Sequence, residues 1–229
     1  MADDLDRGVR LADPDRWLAS RFIADHRARA DVIALYAYDH ELARAIRVAS
    51  NPLIMEIRLT WWREVLDEIF EGRTIKLHPT AQRLAQAIQR HGLARAPLEA
   101  MIDGRIEVVG KPRLDLDEAV RWADAVGGSA TTLAARVLEP GASEEAALAA
   151  GRVWGLVLLK RAGMVDGPAF RSRLEQSLEE ARRATRDLGA LAFPAMVCAT
   201  LARGDLLAAQ PSSTGKRLAL LWAVVRGRL

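Results

Sequence analysis

Apolar residues return every three or four positions along almost the whole chain, while strict apolar/polar alternation and Asn-Gly hairpin turns are missing from the sequence. This spacing predicts helices and no strands. The clearest stretch runs from Arg27 to Gly72 and reads as two helices. In the first, Val32, Leu35, Tyr36, Leu42, Ala43 and Ile46 share a face, with Asp39 inside it. Ser50-Asn51-Pro52 then supplies a break, an N-cap and a proline at the first helical position, and Gly72 stands where a glycine would stop the second helix. That second helix carries Ile54, Ile57, Trp61, Val65 and Ile69 on one side, which makes them the expected core positions.

The remaining punctuation follows the same logic. Asp13-Pro14 begins a short helix with Trp17, Leu18 and Phe22; His78-Pro79-Thr80 introduces one with Leu84 and Ile88 inward and Gly92 as its stop; Pro97 introduces one with Leu98, Met101, Ile102 and Val109 in register. Asp115 to Asp117 caps a helix running to about Leu138, and Ser143-Glu144-Glu145 caps the helix of GRVWGLVLLKRAGMVD. A helix from Pro168 to about Leu188, an FPAMV run at 193–197 and the tail KRLALLWAVVRGRL complete the chain. The expectation is one all-α domain over residues 1–229, a bundle of roughly eight to ten helices around a central cavity or its filled remnant. GGSATT at 127–132 stands out, because a mid-helix glycine costs about 1 kcal/mol relative to alanine. Either a neighbouring helix approaches closely there, or Gly128 and its neighbours leave room for a long ligand.

Composition adds limits. Of 229 residues half are apolar, enough for a substantial core, and the net charge of +3 arises from 33 basic and 30 acidic residues that are interspersed. That reads as a mixed solvated surface and argues only weakly for an anionic partner. The single Cys198 excludes an internal disulfide and suits a reducing compartment. The polar start MADDLDRGVRLADPD is not a signal peptide, and the longest apolar runs reach about eight residues, short of the ~20 that span a bilayer. A cytoplasmic protein is expected, in peripheral contact at most with the inner face of a membrane. The tail is the candidate for that contact, since Leu218, Leu221, Trp222 and Val225 share a face between Lys216, Arg217, Arg226 and Arg228. Docking of that face on the bundle is the more ordinary fate of such a helix. The four histidines lack metal-ligand spacing, and HExxH, CxxC, GxGxxG and Walker sequences are missing. With aromatics at 5% and no basic stripe, nucleic-acid binding has no basis either.

Two segments carry a resemblance. ALYAY with positions Ala43, Arg44 and Arg47, followed by RLTWWREVL, resembles the squalene/phytoene synthase family of head-to-head prenyl synthases. In that family the first helix carries an aspartate pair and a third aspartate three residues on, which hold Mg²⁺ against a prenyl diphosphate. Ala43, Arg44 and Arg47 occupy those positions here. In the second motif, aligning Gly151 on the family glycine keeps Arg161 and Asp166 but puts Leu158 in place of asparagine and Ala162 in place of the first aspartate. Leucine and alanine offer a metal no oxygen. A GRxYLP-like segment that the enzymes carry after this point is missing as well. The resemblance extends from about Asp13 to Leu229 and implies the isoprenoid synthase fold.

It also implies a function. The expected one is a catalytically degenerate member with a binding or assembly role, similar to the family branch that includes a mitochondrial respiratory complex I assembly factor; its partner is then a prenyl diphosphate or other lipid-like ligand, or a protein. No catalytic residue, metal site or cofactor is assigned. The alternative is an active prenyltransferase on farnesyl or geranylgeranyl diphosphate, for which alone Mg²⁺ is required. Tyr36, Asp39, His40, Ala43, Arg44, Arg47, Asp103, Glu107, Gly128, Arg161 and Asp166 are the candidates to line the ligand cavity. Arg44, Arg47, Lys160 and Arg161 could clamp a diphosphate directly, or be solvated and paired with acids such as Glu41.

Overall fold

A computed structural model describes residues 2–47, 51–186, 188–206 and 213–229. These residues are helical with no strand among them, and the order is α1 (Ala2–Ala12), α2 (Pro14–Ser20), α3 (His26–Arg47), α4 (Pro52–Phe70), α5 (Pro79–His91), α6 (Arg95–Glu107) and α7 (Leu116–Trp122). A π-helical segment, Ala123–Gly128, joins α7 to α8 (Ser129–Leu138) without a break. Then come α9 (Glu144–Arg161), α10 (Pro168–Ala184), α11 (Phe193–Met196) with a 3-10 turn at Val197–Leu201, α12 (Ala202–Leu206) and α13 (Ser213–Arg226). None of the described helices is long and apolar enough to cross a membrane.

The caps form as the residue types dictate. Asn51 Oδ1 accepts from the Leu53 amide at 2.9 Å, Asp115 and Glu118 exchange side-chain and backbone bonds in a capping box, and Ser143 Oγ accepts from Ala146. Gly92 ends α5 in the left-handed region at φ 58°, which an L side chain would resist. α1 is a helix beyond those the periodicity predicts; it holds on through Val9 and half-buried Leu5, too few apolar positions to register as a pattern.

α3 is the central element, touching α1, α2, α4, α5, α6 and α8. Every residue from Asp31 to Asp39 is buried, so this helix is covered on all sides there, beyond the one face expected. Its polar groups find partners: Asp31 accepts from Arg90 and His91, and Tyr38 Oη donates to the Leu98 carbonyl at 3.0 Å.

Two faces differ from expectation. In α4 the inward residues are Leu59, Trp62, Val65, Leu66 and Ile69, whereas Ile54 and Ile57 are 42% and 59% exposed and Trp61 is half-buried. The segment is apolar on two adjacent stripes, and the core takes the 59/62/66/69 stripe. α13 docks through Leu220 and Ala223, which leaves Leu218, Leu221, Trp222 and Val225 exposed. The GGSATT run is settled by packing. A Cβ on Gly151 would lie 2.6 Å from Gly128 Cα, one on Gly155 2.8 Å from Ala123 Cα, and one on Gly127 2.9 Å from Gly155 Cα, so α9 and the π-helical segment meet backbone to backbone.

Trp62 packs edge-on against Tyr38 and His78 with ring centroids 5.3 Å apart in each pair. Trp62→Ala should therefore lower unfolding free energy by roughly 3–5 kcal/mol, and Trp61→Ala by only about 1–2 kcal/mol. Denaturant unfolding of both variants tests this, and equal losses would contradict the assigned face.

Candidate functional site

α3, α6, the 108–112 loop and the C-terminal end of α9 enclose a cavity of about 580 Å³. Tyr36, Asp39, His40, Ala43 and Arg47 line it from α3, Leu158 and Leu159 from α9 and Ala162 from just past its end, and Val108, Trp122, Met55 and Met164 add apolar surface. A larger and more open groove of about 860 Å³ lies against α13, but none of the motif positions borders it. The smaller cavity is therefore the site to consider. Ala43 and Arg47 on one wall and Leu158 and Ala162 on the other are the positions where the resemblance expects metal ligands, so the two broken motifs converge on one space.

The floor is charged. Asp39 accepts from Arg16 Nη1 at 2.7 Å and from Arg105 Nη2 at 2.5 Å, and Arg105 Nη1 donates to the Met101 carbonyl. Both guanidiniums are almost wholly buried. Burial alone would raise the Asp39 carboxyl, but Arg105 and Arg16 overcome it and hold the group below the usual carboxylate range. Burial acts against the Arg16 charge, and Asp39 and Asp13 more than restore it, so Arg16 stays cationic. Its Nη2 has no hydrogen-bond partner in the structure described; the guanidinium lies over the Tyr36 ring, 5.1 Å from the centroid, and the π face answers part of that need. Burial also pushes Asp13 above the usual range, against the pull of Arg16, and pushes the Tyr36 phenol up. His40 is pushed down, first by burial and then by Arg47 and Arg44, which keeps it neutral near pH 7.

Six expected residues lie elsewhere. Arg44 pairs with Glu41 at 2.9 Å, Asp103 with Arg63 and Glu107 with Arg121, all at the surface. Gly128 faces Leu148 in the helix crossing. Asp166 is exposed and accepts from the Gly167 amide. Arg161 bonds Asp15 at 2.8 Å and both oxygens of Asp205, and Lys216 reaches Asp15 at 3.0 Å. Arg161 thus ties α2, α9 and α12 together and is absent from the cavity wall. Lining residues that sequence reasoning missed include Asp13, Arg105, Lys111, Trp122, Met55 and Met164. Arg105 had a signal, since it continues the inward register of Leu98, Met101 and Ile102, and an arginine there requires a buried carboxylate. Lys111 lies in a loop, where periodicity carries no information.

The squalene/phytoene synthase family model matches residues 9–176. The chain belongs to that family. Its fold is similar to that of a dehydrosqualene synthase solved in complex with a ligand, at 14% identity and a TM-score of 0.77, covering 98% of this chain and 95% of that one. It is similar also to squalene synthase HpnC from Alicyclobacillus acidocaldarius, at 15% identity and a TM-score of 0.68, covering 99% and 94%. No curated protein matches the chain by sequence.

The family implies Mg²⁺, and the donor set here does not fit it. Among the described residues no three His, Cys, Asp or Glu side chains are grouped to hold a metal. Of the two lining acids, Asp39 is taken by two guanidiniums and Asp13 caps α2 through the Arg16 amide at 2.9 Å. Mg²⁺ needs several convergent oxygens that are free to ligate it.

Replacing Asp39 leaves the buried Arg105 guanidinium uncompensated and Arg16 with only Asp13, 3.7 Å away. Asp39→Asn should cost roughly 3–5 kcal/mol at pH 7. Because the folded-state pKa lies below the unfolded value, the contribution of the carboxylate is complete above about pH 4 and is lost as the pH falls through the folded pKa. Acid unfolding of the variant should therefore depend less steeply on pH below about 4. Parallel denaturant titrations across that range check both statements.

Proposed function

We propose that this family member does no prenyl transfer and uses the cavity to bind a lipid-like ligand with an anionic head, without a metal. The observation that carries the reading is the facing of Ala43 and Arg47 by Leu158 and Ala162 across one space. Ionising an allylic diphosphate requires stabilising the charge on the departing group, which bridged metal ions ordinarily do as Lewis acids. The alkyl side chains of Ala43, Leu158 and Ala162 hold no metal ion and so supply no such Lewis acid. They do supply an apolar wall, continued by Met55, Val108, Trp122, Leu159 and Met164. At the rim, exposed Arg47 forms no ion pair among the described residues, and Lys111 shares its charge with Glu118 at 2.6 Å. These two cations suit a phosphate or diphosphate head. The volume lies in the ordinary range of a small-molecule site.

Farnesyl and geranylgeranyl diphosphate with Mg²⁺ should give no product above background. Farnesyl phosphate should raise the melting temperature to the same extent with and without a chelator, and Arg47→Ala should weaken that binding roughly tenfold. Mg²⁺-dependent turnover would restore the prenyltransferase reading.

The reading extends to peripheral contact with anionic bilayers through α13. Support comes from the exposure of Leu218, Leu221, Trp222 and Val225 beside Arg226 and Arg228, with Leu220 and Ala223 holding the helix to the bundle. Attachment should be weak and salt-sensitive. Leu221→Ser with Val225→Ser leaves the Lys216 contact to Asp15 intact, and this variant should co-sediment with anionic liposomes less than the parent does. Unchanged partitioning counts against α13 as the contact.

A further inference from the structure

The first two turns of α4 contribute little to the core. Its inward stripe begins at Leu59, and Leu53 and Ile57 are 62% and 59% exposed, with Ile54 beside them. The cap by Asn51 and Pro52 nevertheless keeps these turns helical, so the three side chains form a fixed apolar patch. The patch adjoins the cavity. Met55, on the same turns, lines the cavity wall, and a Cβ on Gly110 would touch Pro52 Cγ at 3.9 Å, which puts the start of α4 against the Gly110–Pro112 rim. Basic residues surround it: Arg47 and Lys111 at the rim, exposed Arg58 on α4 and exposed Arg113 just past the rim, with Glu56 and the Glu118 that bonds Lys111 as acids among them. Arg58 and Arg113 form no ion pair among the described residues.

We infer that the N-terminal turns of α4 dock on an anionic bilayer and that the cavity receives its ligand directly from that bilayer. This rests on the reading of the cavity as a lipid-like site. A long-chain ligand has little presence in water, so a cavity that opens beside an exposed apolar patch meets it at the membrane surface. A rigid apolar stripe rimmed by cations is the chemistry that partitions into the headgroup boundary of anionic lipid, where each basic residue adds attraction and the apolar side chains add burial. The rim cations that suit a phosphate head then lie at headgroup level, with the apolar wall behind them.

The test uses the full chain and sucrose-loaded vesicles of phosphatidylcholine, with and without phosphatidylglycerol. The parent should sediment with the anionic vesicles and release at high salt. Leu53→Ser with Ile57→Ser should reduce the bound fraction roughly tenfold with α13 left intact. Neither residue lines the cavity, so circular dichroism and the melting shift given by farnesyl phosphate in solution should stay as in the parent. Equal sedimentation of parent and variant overturns the inference, as does a parent that binds neither vesicle. A concentration-dependent dimer that the double substitution abolishes assigns the patch to a second copy of the chain and also overturns it. If sedimentation depends on the patch while farnesyl phosphate shifts nothing, the docking stands and the ligand reading of the cavity fails.

Discussion

The backbone contact between α9 and the π-helical segment is the constraint that fixes the rest. Gly127, Gly151 and Gly155 with Ala123 leave no room for a side chain between the two elements, so α9 has one position available to it. That position determines how far Leu158, Leu159 and Ala162 stand from Ala43, and hence the width of the cavity. Glycine inside a helix ordinarily weakens it by about 1 kcal/mol relative to alanine. Here the alanine would force the helices apart, and the usual ranking reverses.

Charge at the cavity floor follows a second constraint. Arg16, Asp39 and Arg105 come from α2, α3 and α6, and the carboxylate between the guanidiniums joins three helices at one buried point. Asp13, 3.7 Å from Arg16 Nε, adds a second carboxylate at the edge of this cluster, beneath an apolar wall. Such a group is costly to bury and costlier to leave half-paired, so the floor is rigid where the walls are made of deformable methionine and leucine. A cavity built in that way holds its polar end still while its apolar end adapts.

The fold was largely readable because the sequence is locally consistent. Proline and cap residues open α2, α4, α5, α7 and α9 where they form, and Gly92 closes α5 in the only conformation that explains it. Faces were harder. In α4 two apolar stripes compete, and periodicity has no means of choosing between Trp61 and Trp62; the contact of Trp62 with Tyr38, twenty-four positions earlier in the chain, decides it. The site was readable where it sits on helices in register, as with Tyr36, Asp39, Ala43 and Arg47. It was not readable where a long side chain chooses between partners, because Arg161, Asp103 and Glu107 turn to ions that lie far from them along the chain.

Asp15 is satisfied by Arg161 and Lys216, 146 and 201 positions later. During synthesis α2 therefore leaves the ribosome with a carboxylate that has no fixed counter-ion until α9 and then α13 have been made. Its burial before that moment carries an uncompensated charge. The packing of α1 and α2 on α3 needs only early residues, but the ionic closure around Asp15 is complete only when both ends of the chain are present.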